Sequence, residues 1–174
     1  SDLASDAYSV STASAVTPGF NIGFMWQADE ATRLGLHYRS GMRHKMTGKV
    51  ATGGLPAALA AGNGVLNASS VLKLPQVVTA GASRVINDKL TLFADIEWYG
   101  WGVLNELRVQ FENGTADAVR AANYRNTFAY SIGGEYKQSE TLTLRSGVQW
   151  DFTPTVDGFR DTMFADANRL VFAA

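Results

Sequence analysis

Two carboxylates spaced two residues apart, Asp95 and Glu97, are the side chains in this sequence best placed for acid–base chemistry. A pair of carboxyl groups held in different protonation states is a common basis of general acid–base catalysis. Residues two apart on a strand, however, point to the same side of a sheet, where they form part of a charged surface. Oppositely charged residues recur with the same spacing on other segments. We therefore expect no catalytic residue and no enzyme.

Metal and cofactor chemistry has little support in the composition. The 174 residues contain no cysteine and only two histidines, His37 and His44. Cysteine-ligated zinc, iron–sulfur clusters and thiol catalysis are thereby excluded, and two histidines argue against a multi-histidine site. With 15 basic and 16 acidic residues, the chain also lacks the basic excess of a nucleic-acid-binding protein. No metal, cofactor or nucleic-acid partner is expected.

The residues most suited to bind a ligand are apolar. A predicted loop contains a helix-compatible stretch from Leu55 to Ala61 with a proline near its start. Apolar residues clustered on a loop suggest capture of a hydrophobic ligand. They could equally pack on the rim of the barrel that the strands described below are predicted to form. The candidate ligand-binding residues of this segment are Leu55, Leu59, Val65 and Leu66.

A second candidate lies where one strand changes phase. Glycines flank Trp101, and beyond Trp98 the apolar residues move to the opposite parity, which predicts a β-bulge. The bulge could simply mark the point where the strand leaves the membrane. Alternatively, Trp101 and Val103 could line an apolar pocket in the wall.

The elements that carry these residues are predicted to be β-strands. Residues 1–17 show no sustained period and are expected to be a loop or a frayed end. From Pro18 onward, apolar and polar residues alternate in segments bounded by turn residues, which is typical of strands with two different faces. Six strands and the start of a seventh are predicted, within residues 21–27, 33–39, 75–86, 90–99, 127–136, 142–151 and 168–174.

The predicted connections alternate between short and long. Tight turns are expected at 28–31, 87–89 and 139–140, and long loops near 51–74, 113–125 and 153–167. Short turns at one end and long loops at the other are typical of transmembrane barrels.

Aromatic residues indicate which side of the strands faces lipid. Trp26 and Tyr136 lie on the apolar parity beside tight turns, whereas Tyr38, Trp98 and Trp150 lie on the same parity farther along their strands. About 9–11 residues of a tilted strand cross the hydrocarbon layer, so the two sets would form aromatic girdles at its two surfaces.

The opposite parity collects charges of both signs, which predicts a polar lumen. A basic side chain facing mid-membrane lipid costs about 2–4 kcal/mol, so these residues should point inward. The predicted lumen residues are Arg33, Arg39, Asp95, Glu97, Glu135 and Arg145.

Several short motifs occur in order along the chain: Gly19 to Gly23, Thr32 to Ser40, Leu74-Pro75, Leu92 to Trp98, Gly133 to Tyr136, Leu142 to Val148, Thr153-Pro154 with Arg160, and Asp166 to Leu170. Together they resemble one family, the outer-membrane long-chain fatty acid and aromatic hydrocarbon transport proteins. One departure occurs late in the chain, where Ala165-Asp166 and Asn168-Arg169 stand in place of the Pro-Asp and Asp-Arg that are usual in the family.

The resemblance implies an all-β fold, an antiparallel transmembrane β-barrel of fourteen strands. Residues 18–174 would supply six to seven of these strands, so the remainder of the barrel would be a partner, and the family's plug would lie outside this sequence. It further implies a bacterial outer-membrane location, contact with membrane lipid and uptake of fatty acids or aromatic hydrocarbons.

Two other functions remain open from the sequence. A general polar-solute porin would share the barrel but would have an open lumen with a charged constriction. A soluble lipocalin-like binding protein would have its aliphatic side chains inside and its aromatics scattered, and the two aromatic levels weigh against it.

Overall fold

The computed structural model describes residues 8–55, 62–160 and 166–174, with side chains from Ser11 onward. The chain divides into two compact units. One comprises Ser1–Pro18, Arg43–Lys73 and Glu106–Ala121, and the other comprises Gly19–Met42, Leu74–Asn105 and Ala122–Ala174. Among the described residues, no helix is long and apolar enough to cross a membrane.

The larger unit is a seven-stranded antiparallel sheet with the order β12-β11-β10-β7-β6-β3-β2. Every strand that the alternation predicts is present in it, so the all-β antiparallel fold is confirmed. Its strands are β2 (Asn21–Gln27), β3 (Thr32–Arg39), β6 (Val77–Val85), β7 (Leu90–Tyr99), β10 (Thr127–Lys137), β11 (Thr143–Asp151) and β12 (Arg169–Ala173).

Three tight turns of this sheet are stabilised by their own side chains. The Asp29 carboxylate accepts the Ala31 N–H at 2.8 Å, and the Asn87 side-chain oxygen accepts the Lys89 N–H at 2.9 Å. The Ser139 hydroxyl accepts the Leu142 N–H at 3.1 Å. Short polar side chains satisfy backbone donors in this way wherever the chain reverses. The turns occur where the sequence predicts them.

Strand register sorts the side chains of this sheet by face. Paired residues of antiparallel strands point to the same side, so each row of partners belongs to one face. One row contains Trp26, Leu34, Ala82, Ala94, Ile132, Val148 and Phe172, and the next contains Phe24, Leu36, Ala80, Ile96, Tyr130, Trp150 and Leu170. Many of these side chains are exposed, Phe172 at 74% and Ile132 at 60%. The apolar parity of the sequence is therefore one continuous apolar face.

The smaller unit contains a five-stranded sheet with the order β1-β4-β5-β8-β9. The β1–β4, β5–β8 and β8–β9 pairs are antiparallel. The strands are β1 (Tyr8–Ser14), β4 (Met42–Gly53), β5 (Gly64–Leu74), β8 (Glu106–Phe111) and β9 (Ala118–Ala121).

This second sheet corrects three expectations. Residues 1–17 contain a strand, β1, whose Ser and Thr residues pair in register with β4. The predicted loop at 51–74 includes the end of β4 and all of β5, and the predicted loop at 113–125 includes β9. These strands lack clear alternation, and β1 and β5 pair with strands about forty residues away in the sequence.

The predicted bulge around Trp101 is also wrong. Strand β7 ends at Tyr99, and residues Trp101–Val103 form a short 3-10 helix that closes with the Leu104 N–H bonded to the Trp101 carbonyl at 2.9 Å. The apolar residues that follow belong to β8 rather than to a continuation of β7.

Candidate functional site

The six predicted lumen residues share the second face of the seven-stranded sheet. The register aligns Arg39 with Val77 and Tyr99, and it aligns Glu97 with Thr79 and Ala129. The same parity carries Arg33 and Asp95, and also the Glu135–Arg145 pair. These charges therefore occupy one polar face, opposite the apolar face.

On strands β10 to β12 the charges of the polar face neutralise one another. Arg145 donates from Nε to Glu135 Oε2 at 2.8 Å across the β10–β11 pair. Arg169 likewise pairs with Asp151 across β11 and β12. Residues directly opposite on neighbouring strands are close enough for such pairs. This part of the polar face carries little uncompensated charge.

Strand β7 differs, because its two carboxylates have no cationic partner. Glu97 accepts hydrogen bonds from the Tyr99 hydroxyl at 2.7 Å and from the Thr79 hydroxyl at 3.3 Å. Asp95 forms no hydrogen bond or ion pair with any residue that the structure describes. A carboxylate beside a second one can attract a cation.

The predicted loop ligands Leu55, Val65 and Leu66 lie in the smaller unit, and Leu59 falls outside the described residues. The Leu55 N–H is donated to the Asn63 side-chain oxygen at 3.1 Å, which brings together the two ends of the β4–β5 connection. Val65 and Leu66 are not loop residues, because they begin strand β5.

Strand β5 presents two different faces. Ala68 pairs with Phe111 and Ser70 with Val109, so Leu66, which shares the parity of Ala68, lies on the side of those two apolar residues. Val65 has the opposite parity and is 62% exposed. Leu66, Val109 and Phe111 are half-buried. The structure thus brings Leu66 to an apolar face, hereafter the apolar β5–β8 face, and separates Val65 from it.

Phe111 and Val109 were missed as candidate ligand contacts. Their alternation in β8 is visible in the sequence, but their pairing with β5 joins residues about forty positions apart. Only the register shows that they extend the surface that carries Leu66.

Trp101 and Val103 belong to the larger unit. The Trp101 ring meets Tyr124 edge to face, with centroids 5.9 Å apart, and the Gly102 N–H is donated to the Asn126 side chain at 2.9 Å. Val103 is 38% exposed. The structure therefore divides the predicted ligand residues between the two units.

Close to Trp101, hydrogen bonds join the two points of the chain at which the β8–β9 hairpin begins and ends. The Asn105 carbonyl accepts the N–H groups of both Ala122 and Asn123, at 2.8 and 2.9 Å. Asn123 has a positive φ of 45°, a conformation that asparagine tolerates better than most residues. The two ends of the hairpin are thereby fixed side by side.

The connection between β11 and β12 carries the late motif of the sequence. The Thr153 hydroxyl is donated to Asp166 at 2.7 Å, and the Thr153 N–H is donated to Asn168 at 3.0 Å. The Arg160 guanidinium hydrogen-bonds Asp157 and holds the pKa of that carboxyl below its ordinary value. The contacts of Thr153 hold the end of β11 beside the residues that precede β12. Within the described ranges, no three acidic or histidine side chains converge as a metal site requires.

Comparison with known proteins agrees with this arrangement. Residues 3–174 match the family described as outer membrane protein transport protein (OMPP1/FadL/TodX). The chain belongs to this family. Among its relatives, an outer membrane protein of Neisseria meningitidis is 29% identical over 174 residues, covering 90% of this chain and 37% of the relative.

Two solved family structures share the fold. A FadL homologue from Pseudomonas aeruginosa superposes with a TM-score of 0.81 at 27% identity, covering 88% of this chain and 38% of the other. The toluene transporter TbuX from Ralstonia pickettii gives a TM-score of 0.65 at 25% identity, covering 83% and 38%. The chain thus spans under two-fifths of the length of these proteins.

The fold and location expected from the sequence are confirmed at this level. The chain is an antiparallel portion of an outer-membrane β-barrel of the OMPP1/FadL/TodX family. In a barrel of this class the outward side of the wall is the apolar one, as lipid requires.

Proposed function

We propose that the protein carrying this chain takes up hydrophobic compounds through the outer membrane, with long-chain fatty acids as its principal substrates. It acts by binding and passive diffusion, without covalent chemistry or a cofactor. The apolar face of the seven-stranded sheet contacts membrane lipid, and the remainder of the barrel completes the wall.

The observation that carries the proposal is the apolar β5–β8 face. Leu66, Val109 and Phe111 lie together on one side of the five-stranded sheet, while Asn67 on the opposite side donates a hydrogen bond to Glu112 at 3.2 Å. A sheet in water normally keeps only one apolar face, which packs on a core or a ligand. We assign this face to the substrate, together with Leu55 and Leu59 of the preceding connection.

Apolar burial would drive binding at such a surface. Each methylene removed from water contributes about 0.8 kcal/mol, so an acyl chain gains affinity with length, whereas a single aromatic ring gains less. The substrates named for relatives include toluene. We favour fatty acids for this chain because the face extends over two strands and suits an elongated ligand better than one ring.

Uptake of labelled oleate by cells that express the complete reading frame tests the proposal. Leu66→Asp should reduce uptake at least tenfold, because a charge on the apolar β5–β8 face opposes burial of the acyl chain. Ser69→Asp, on the opposite face of the same strand, is the matched control and should leave uptake unchanged. Heat-modifiable migration on gels verifies that both variants are folded.

Two results would reject parts of this assignment. Equal uptake by the two variants would remove the apolar β5–β8 face from the substrate path. Competition by toluene as strong as that by unlabelled oleate would reject the preference for fatty acids.

A further inference from the structure

The polar face of the seven-stranded sheet contains a cleft with one basic wall and one acidic wall. Strand β3 contributes Arg33 and Arg39, and β7 contributes Asp95 and Glu97. Strand β6 lies between them and supplies only uncharged side chains to this face, which are Val77, Thr79, Gly81, Ser83 and Val85. We call this feature the polar cleft.

The charges of the two walls form no ion pair with each other in the described part of the chain. Strands β3 and β7 are separated by two interstrand spacings, about 10 Å. Arg33 donates to the neutral Gln27 side chain at 2.8 Å, and Glu97 accepts only from hydroxyl groups. Arg39 and Asp95 have no hydrogen-bond or ion-pair partner within the described part of the chain.

The neighbouring strands show that this separation is particular to the cleft. Across β10, β11 and β12, opposite charges occupy adjacent strands and form direct ion pairs. In the polar cleft, one uncharged strand is interposed. The cleft therefore keeps both signs of charge available.

The floor of the cleft is made of glycine. Gly35 and Gly81 are paired on β3 and β6, and Gly23 lies nearby on β2. They line a cavity of about 420 Å³ together with His37, Asp95 and the exposed Met25, and His37 also lines a second cavity that contains Arg39. The Asp95 carboxylate leans over Gly81, occupying the space that a Cβ there would need. A volume of this size is typical of small-molecule sites.

We propose that the polar cleft binds amphiphiles with a zwitterionic head group. The cationic part of the head group contacts Asp95 and Glu97, and its anionic part contacts Arg39. Its apolar part lies over the glycine floor toward Met25. A ligand that carries both charges brings each wall into contact with an opposite charge, which neither a simple anion nor a simple cation can do.

Three probes with the same eight-carbon chain test this selectivity: octylphosphocholine, octanoate and octylamine. The protein, produced from its complete reading frame and held in amphipol so that no detergent competes, is titrated with each probe by calorimetry. Each exposed ion contact contributes up to about 1 kcal/mol, so the zwitterion should bind about five- to tenfold more tightly than either ion.

Variants in each wall should change the preference in opposite directions. Asp95→Asn should make octanoate bind as tightly as octylphosphocholine, and Arg39→Gln should do the same for octylamine. Glu135→Gln is the control for charge and should preserve the original order, because it makes the same charge change on the polar face outside the cleft.

A filling variant tests the floor independently of charge. A Cβ at Gly35 would meet only the Phe24 carbonyl, at 4.0 Å, so Gly35→Leu can fold. The substitution should weaken the binding of all three probes. Ala82→Leu, on the apolar face, is the matched control and should not. Equal binding of octanoate and octylphosphocholine by the unmodified protein would overturn the proposal, as would a selectivity that Asp95→Asn leaves intact. Neither outcome depends on oleate uptake, because the proposed substrate face lies on the other sheet.

Discussion

At the scale of single residues, Asp29 shows how one carboxylate organises a turn. It lies between β2 and β3, where its side chain accepts the Ala31 N–H. This backbone hydrogen bond is the main cause that lowers the pKa of Asp29 from its ordinary value of 3.8. A carboxyl group with a lowered pKa in the folded state stabilises that state above its unfolded-state pKa. The contribution is lost as the pH falls through the folded-state pKa.

We therefore expect Asp29→Asn to retain the turn, since an amide oxygen also accepts the N–H, and Asp29→Ala to lose it. Amide hydrogen exchange at Ala31 should accelerate in Asp29→Ala at neutral pH. In the unmodified protein the protection of this amide, relative to its intrinsic exchange rate, should fall only below the ordinary aspartate pKa of 3.8, as the pH passes through the lowered folded-state pKa. Unchanged exchange in Asp29→Ala would show that the strands alone hold the turn.

The face of the sheet on which each residue lies can be predicted from the sequence, but its neighbours on adjacent strands cannot. The parity of Arg33, Asp95 and Glu135 follows from alternation alone, so their common face was predicted. The adjacency of Gly35 and Gly81 depends on the pairing of β3 with β6. Single-strand patterns carry no information on that register, and for this reason the glycine floor was not foreseen.

At the scale of elements, β10 allows the two faces of the wall to be compared on adjacent residues. Ile132 lies at the middle of the strand on the apolar face and is 60% exposed. Ser131 points to the polar face, where its partner on β7 is Asp95.

Lysine should therefore have opposite effects at these two positions. Ile132→Lys should destabilise the folded protein by about 2–4 kcal/mol, the cost of a basic side chain at the centre of the bilayer. Ser131→Lys should cost far less, because its ammonium group can pair with Asp95. Urea unfolding in lipid vesicles measures both, and an equal loss of stability would contradict the assignment of the two faces.

Strands in which apolar and polar residues alternate clearly can be predicted from the sequence, whereas strands without that alternation cannot. Strands β2, β3, β6, β7, β10, β11 and β12 have distinct faces, and all were predicted. Strand β5 carries apolar residues on both parities, including the Val65-Leu66 and Val71-Leu72 neighbours, so it showed no period of two. Strand β1 is rich in Ser and Thr, and this composition predicts a loop or a frayed end rather than a strand. Backbone pairing, which single-sequence patterns do not report, stabilises both of these strands.

At the scale of the whole molecule, the depth of the tryptophans in the bilayer should show how much of the barrel wall lies within the membrane. Trp26 is close to a tight turn and Trp150 is near the far end of β11, and their side chains are 54% and 53% exposed on the apolar face. Amphipathic rings favour the head-group zone at either surface of a bilayer.

Single-tryptophan variants that retain only Trp26 or only Trp150 should be quenched more by lipids brominated near the head group than by lipids brominated at the chain end. A tryptophan introduced by Ile132→Trp in a background without the other four should show the reverse order. Stronger chain-end quenching of Trp26 would contradict the two aromatic levels.

The Asn105 carbonyl accepts two N–H groups from the returning chain. The junction that these hydrogen bonds form affects how the protein can change in evolution and in the laboratory. Because Asn105 and Ala122 already meet, the intervening hairpin begins and ends at neighbouring points. The hairpin can therefore change in length at little entropic cost, since loop closure depends only weakly on length, and the registers of β7 and β10 need not shift. Residues added at its own turn, 112–117, would leave the apolar β5–β8 face in place, so this turn is a natural site for surface diversification and for the insertion of foreign epitopes.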